Sequence, residues 1–216
     1  MQQFKAVVFD LDGLLLDTER VALETGVEAL ASIGHPLTQA ELQRVVGLDA
    51  EAGHRLICEM LDHDLPFADI YGPWDAAFLA GTEDGIPLRP RVLDVLDLLD
   101  KLGMPRAVAT NSELETAKWK IERAGIGGRF DAIVGRDSAG GSKPQPHVYL
   151  HAAKLLGIDP ADCLALEDSD VGVRAAKAAG MTVVQIPDMV PSSDRAANHQ
   201  ADDLMAALEW AGIARS

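Results

Sequence analysis

A chain of 216 residues is longer than one ordinary domain and shorter than two, which suits a single core carrying a large insertion, and 48% hydrophobic residues suffice to pack it. The formal net charge of -15 argues against nucleic acid or an anionic membrane surface as partner, because both need a basic footprint, and solubility accounts for the charge. The two cysteines, Cys58 and Cys163, lie among apolar residues and in no metal-binding spacing, so they are expected as reduced core residues of a cytoplasmic protein. No basic region followed by a long apolar run opens the chain, and no later segment approaches the length of a membrane span.

Along the chain, Ala6-Val7-Val8-Phe9 is a continuous β-prone run ended by Asp10, which predicts a strand buried on both faces, as in a parallel sheet. From Asp17 to Gly85 the pattern changes: Leu23, Val27 and Leu30 recur at helical spacing and no convincing strand follows. This stretch is expected as an inserted helical domain, 17–85, with Gly81, Gly85 and Pro87 marking the return to a core made of 1–16 and 86–216. It holds 14 acidic residues against Arg20, Arg44 and Arg55, a net charge of about -11, so it carries most of the molecule's acidity.

Beyond it, Val92, Val95, Leu96, Leu99 and Leu102 form one apolar helical stripe, and Ala107-Val108-Ala109-Thr110 reads as a second buried strand. A helix over 113–124 follows, with Ser112 and Glu115 as its capping box. Ala132-Ile133-Val134 is a weaker strand, while Leu164 to Glu167 and Thr182 to Ile186 are stronger ones. Between the last two, a helix runs through Ala175, Ala176 and Ala179 and stops at Gly180. Strands alternating with helices predict an α/β fold: a Rossmann-like parallel-sheet core with an inserted α-helical domain.

In an open parallel sheet, ligands bind at the carboxyl ends of the strands. There the first strand ends in Asp10-Leu11-Asp12-Gly13 and a later one in Glu167-Asp168, which brings two carboxylate clusters to one edge. Taken singly, each aspartate serves equally well as a turn or cap residue. Together they repel unless a cation or a shared proton compensates, and hard oxygen ligands favour Mg²⁺ over zinc. Such a cation suits phosphate chemistry. Thr110 offers a hydroxyl at the second strand's end, though it also suits a cap, a role Ser112 fills better. Lys143, in Gly141-Ser142-Lys143-Pro144, offers a cation that in isolation reads as a solvated loop lysine, and Pro144 is expected in the first turn of a helix that fixes it.

These residues resemble the four motifs of haloacid dehalogenase superfamily phosphatases. Asp10 to Glu19 is similar to the first motif, Thr110-Asn111-Ser112 to the second, Ser142 to Pro146 to the third, and Glu167 to Gly172 to the fourth. The subgroup related to β-phosphoglucomutase also inserts a helical cap directly after the first motif. The resemblance implies Asp10 as nucleophile and Asp12 as general acid and base. It implies Mg²⁺ held by Asp10, the main-chain carbonyl of Asp12 and Asp168, with Glu167 in support. Phosphoryl oxygens would be held by Thr110 and Lys143, the phosphate site comprising Asp10, Leu11, Asp12, Thr110, Asn111 and Lys143.

Other functions share this scaffold. A dehalogenase proper needs neither Mg²⁺ nor an acid at the Asp12 position, and a phosphonatase needs a cap lysine, whereas no lysine occurs between Lys5 and Lys101. β-Phosphoglucomutases use a cap histidine and a cap arginine to retain their intermediate, and the aligned positions here are Ala22 and Ala50, the second placed through Gly47-Leu48-Asp49-Ala50. A non-catalytic interaction protein would show decay of at least one motif, and none has decayed. An acidic cap disfavours substrates with carboxylates or several phosphates, so a small phosphorylated metabolite, a sugar or polyol phosphate, is the expected substrate of a monomer or weak homo-oligomer. His35, His54 and His63 are expected as surface or packing residues, and Trp74 with Phe78 as an i, i+4 pair in the core of the insertion.

Overall fold

A computed structural model of the chain describes residues 4–46, 48, 50–193 and 195–214. Contacts divide it into two compact units, residues up to 16 with those from 87 onward, and residues 17–86. The chain opens with β1 (Ala6–Phe9) and then forms the helical unit: α1 (Thr18–Ser32), α2 (Gln39–Leu42), α3 (Ala50–Leu61) and α4 (Phe67–Gly81). Among the described residues, no helix is long and apolar enough to cross a membrane.

In the helical unit, α1 and α4 pack closely because small residues stand where large ones arrive. A Cβ at Gly26 would lie 2.4 Å from the Trp74 indole, whose Nε1 donates to the Ala22 carbonyl at 2.8 Å. Trp74 stacks in parallel on Tyr71, at 5.8 Å between ring centroids. Of the three histidines of this unit, His35 and His63 stack on each other, and the His54 Nε2 meets the Leu65 carbonyl at 2.9 Å. Ala50 begins α3, while Gly47 and Asp49, used to align it, lie outside the described residues. Both cysteines are free thiols; Cys163 is buried and Cys58 only half-buried.

The other unit continues with α5 (Val92–Leu102), β2 (Arg106–Ala109), α6 (Leu114–Arg123), β3 (Ala132–Val134), α7 (Arg136–Ala139) and α8 (His147–Leu156). It ends with β4 (Cys163–Glu167), α9 (Asp170–Ala178), β5 (Thr182–Gln185), β6 (His199–Gln200) and α10 (Leu204–Trp210). Its six strands form a parallel sheet in the order β3-β2-β1-β4-β5-β6. Alternation explains the continuous apolar runs. Ala6 and Val8 join a core cluster with Val148, Ala152 and Ala176 of α8 and α9, whereas Val7 and Phe9 are equally buried without belonging to it. Both faces of the sheet are therefore covered.

Several details depart from the sequence reading. The short β6 carries no apolar run that could announce it, and β2 and β4 each begin one residue earlier, at Arg106 and Cys163. Thr110 and Ile186, expected as strand ends, follow β2 and β5 rather than belonging to them. The Ser112 and Glu115 capping box does not form: Glu113 is the N-cap of α6, and the Leu114 N–H donates to Asp137 Oδ1 at 2.8 Å instead. Pro144 is not in a helix's first turn, since α8 starts at His147 after Pro146, and Pro144 lies in a turn closed by the Gln145 N–H on the Ser142 carbonyl at 3.0 Å.

Candidate active site

In the strand order, β1 is the point from which the chain proceeds to β2 on one side and β4 on the other, so the ends of these three strands open a shared crevice. Asp10 follows β1, and its N–H donates to the Leu166 carbonyl at 3.0 Å. Past Leu11 and Asp12 the chain turns sharply at Gly13, whose φ of 84° favours a glycine. Thr110 follows β2, donating its N–H to Val134 at 3.0 Å and accepting the Ser112 N–H at 3.0 Å. Asn111 Oδ1 accepts the Lys143 N–H at 2.7 Å and so ties the Lys143 loop to the end of β2.

The tie places Lys143 inside the crevice, contrary to what a lone loop lysine suggests. It is buried, and its Nζ donates to Asp10 Oδ1 and to Glu167 Oε1, the latter at 2.6 Å. Glu167 has no exposure at all. Its Oε1 also accepts the Tyr149 hydroxyl at 2.6 Å, and its Oε2 accepts the Ser169 hydroxyl at 3.1 Å. The Tyr149 ring lies 5.0 Å from the Lys143 ammonium, within reach of a cation–π attraction. A Cβ on Gly172 would fall 1.7 Å from Glu167 Oε1, so the start of α9 leaves room for that carboxylate only because residue 172 is a glycine.

One ammonium here faces several acids. Burial, reinforced by Glu167 and Asp12, outweighs Lys143 and pushes the Asp10 carboxyl up to about 8. Burial alone would lower Lys143, but Asp10 and Glu167 together raise it above its ordinary value, so it stays an ammonium. Burial and the neighbouring Glu167 likewise hold the Tyr149 phenol protonated as a donor.

Asp10, Glu167 and Asp168 each offer a carboxylate oxygen within 4.8 Å of the others, the metal-competent group found among the described residues. Three hard oxygen donors facing one ammonium suit a hard divalent cation, which would supply the missing positive charge. The Asp12 side chain stands outside this group. Its Oδ2 accepts the Ser112 hydroxyl at 2.9 Å, and its Oδ1 accepts Lys120 Nζ at 2.7 Å. Behind the metal group, Gln185 donates to the Asp168 carbonyl at 3.2 Å and to Asp170 Oδ1 at 2.9 Å, and Asp170, despite burial, is held well below the usual carboxylate range by Ser193, Gln185 and Ser192.

Residues 4–180 match the family model described as haloacid dehalogenase-like hydrolase. The chain belongs to this family. Fructose-1-phosphate phosphatase YqaB of Escherichia coli (strain K12) is 31% identical over 193 residues, covering 86% of this chain and 97% of the relative. Hexitol phosphatase B of the same strain is 31% identical over 199 residues, covering 86% and 85%. A solved HAD family hydrolase from Deinococcus radiodurans R1, with bound phosphate and sodium, superposes with a TM-score of 0.85 at 29% identity, covering 99% of this chain and 98% of the other. The motif order read from the sequence is thus that of a haloacid dehalogenase-like hydrolase, and the six-stranded parallel sheet is that family's fold.

Two residues of the crevice escaped the sequence reading. Tyr149 sits among apolar residues of α8 and passes for core, and Lys120 passes for one more lysine of a charged helix. The sequence offers only a weak hint for each: a buried tyrosine needs a hydroxyl partner, and Lys120 stands three residues after the buried Ala117 on the same side of the helix.

Proposed function

We propose that this hydrolase is a magnesium-dependent phosphatase that removes phosphate from a sugar or polyol phosphate through a phosphorylated Asp10. The observation that carries the reading is the buried Asp10 carboxylate, held by Lys143 at the switch point of the sheet and grouped with Glu167 and Asp168. The phosphatase names of relatives covered over most of their length support the reaction, and the two substrates those names print support the substrate class.

Asp10, the main-chain carbonyl of Asp12 and Asp168 would hold Mg²⁺, with Glu167 in support. When bound, the cation offsets the charge that otherwise repels a phosphate dianion from a carboxylate. Lys143 does the same from the protein side, and its double anchorage to Asp10 and Glu167 keeps the ammonium fixed. Thr110 offers its hydroxyl to a phosphoryl oxygen, and the Asn111 side chain holds the Lys143 loop in place. Asp10 attacks phosphorus as the bond to the leaving oxygen breaks, and Asp12 gives that oxygen a proton. Asp12 then takes a proton from the water that attacks the aspartyl phosphate, which releases inorganic phosphate and restores both carboxyl groups.

The test is turnover of a panel of hexose and polyol phosphates by the purified protein in excess chelator and after Mg²⁺ is returned. The expected result is loss and recovery of phosphate release. Full activity in chelator would overturn the metal assignment.

A further inference from the structure

The reading above makes Asp12 the proton donor and acceptor, yet its side chain is not part of the carboxylate group of Asp10, Glu167 and Asp168, and nothing in that reading says what holds it. Both its oxygens are occupied: Oδ2 by the Ser112 hydroxyl at 2.9 Å and Oδ1 by Lys120 Nζ at 2.7 Å. Lys120 also donates to Ser112 Oγ at 3.2 Å, which closes a three-membered ring of contacts. This lysine differs from its neighbour in the sequence. The Lys118 side chain is 48% exposed and pairs along its own helix with an open Glu115, whereas that of Lys120 is 14% exposed and reaches across the unit to the loop after β1.

A flexible four-carbon stem turned inward loses rotamer freedom and part of its hydration, and a surface ion pair returns little for that loss. The lysine is held by what it grips. Ser112 is fixed in turn, because its N–H donates to Thr110 Oγ1 and its carbonyl accepts the Arg136 N–H at 3.1 Å. The clamp on Asp12 therefore rests on the rigid end of β2 and on α6, independently of the turn that carries Asp12 itself.

We propose that Lys120, with Ser112, is a positioning residue for the proton transfers of this hydrolase: it holds the Asp12 carboxyl group where it reaches the leaving oxygen and, afterwards, the attacking water. Lys120 transfers no proton. In the first step the bond from Asp10 to phosphorus forms, the bond from phosphorus to the leaving oxygen breaks, and the proton passes from Asp12 to that oxygen. A misplaced Asp12 harms this step only as far as the leaving group needs the proton. A sugar alkoxide needs it; p-nitrophenolate, stabilised by its ring, leaves without it.

The inference rests on the phosphatase reading, and its test separates the two. The values of kcat/KM, which report events up to departure of the leaving group, are compared for a hexose phosphate and for p-nitrophenyl phosphate in the wild type, Lys120→Met and Lys120→Arg. Lys120→Met keeps most of the apolar stem, and thermal unfolding of each variant confirms that it folds. The expected result is a fall of roughly 10- to 100-fold with the hexose phosphate for Lys120→Met, little change with p-nitrophenyl phosphate, and partial recovery in Lys120→Arg. An equal fall on both esters, as a general structural defect or a phosphate-binding lysine would give, overturns the proposal, and so does no fall on either. Hydrolysis of neither ester by the wild type overturns the phosphatase reading instead.

Discussion

Glu167 shows how far single residues here are constrained by one another. Its carboxylate is completely buried and receives donors from Lys143, Tyr149 and Ser169, while Gly172 gives it space. Gly172→Ala should thus push against the carboxylate itself, lowering stability by on the order of 1–3 kcal/mol and activity more steeply, as thermal unfolding and turnover measured together will show. Tyr149→Phe keeps the ring under Lys143 and removes only the hydroxyl. The expected loss is roughly 1.5–3 kcal/mol, that of one hydrogen bond to a charged group, measurable by denaturant titration. At this scale the motifs of the sequence mark residues that the fold brings to one crevice: Asp10, Thr110 and Asp168 each follow a strand, and Lys143 reaches them from the loop before α8. Lys120 and Tyr149 were harder to read, because each sits on a helix at a position where solvation or packing is the commoner role, and only the fold shows what lies opposite.

Among the elements, α6 teaches the most. Ser112 has the right identity and spacing to cap it, but its hydroxyl is given to Asp12, and the Leu114 N–H finds Asp137 at the start of α7. Competition between a local cap and a distant partner cannot be resolved from spacing alone. The Leu114 N–H, donating into Asp137, holds that carboxyl below the usual range, so its contribution to stability is present above the ordinary aspartate value of about 4 and is lost as the pH falls through the lowered one. Asp137→Ala is therefore expected to lower the Tm at neutral pH, with the gap to the wild type narrowing as the pH falls below the ordinary aspartate value. The strands were easier to read than the caps. Four consecutive apolar residues buried on both faces, as in β1 and in Cys163 to Leu166 of β4, are a strong pattern, whereas the two residues of β6, His199 and Gln200, present none.

For the whole molecule, the described residues 17–86 form one of two compact units and contain helices and no strand. What distinguishes a hydrolase from a mutase is whether water or a second sugar hydroxyl takes the phosphoryl group from Asp10. Aligned by motif, Ala22 and Ala50 are the positions expected to replace the histidine and arginine of a mutase, and the stretch from Asp17 to Gly85 carries a net charge of about -11, which is poorly suited to gripping a second phosphate. Phosphorus NMR of a hexose phosphate under turnover should show inorganic phosphate growing with no isomeric hexose phosphate beside it. A new hexose phosphate resonance growing faster than inorganic phosphate would assign the site to a mutase.

Every step of the proposed chemistry passes through one carboxylate, so the most direct measurement is phosphate release by Asp10→Asn, a nearly isosteric change, beside the wild type with Mg²⁺ and a hexose or polyol phosphate. The account predicts that the variant keeps its fold by thermal unfolding and loses turnover by several orders of magnitude. A folded Asp10→Asn protein that releases phosphate at a rate near that of the wild type would contradict it.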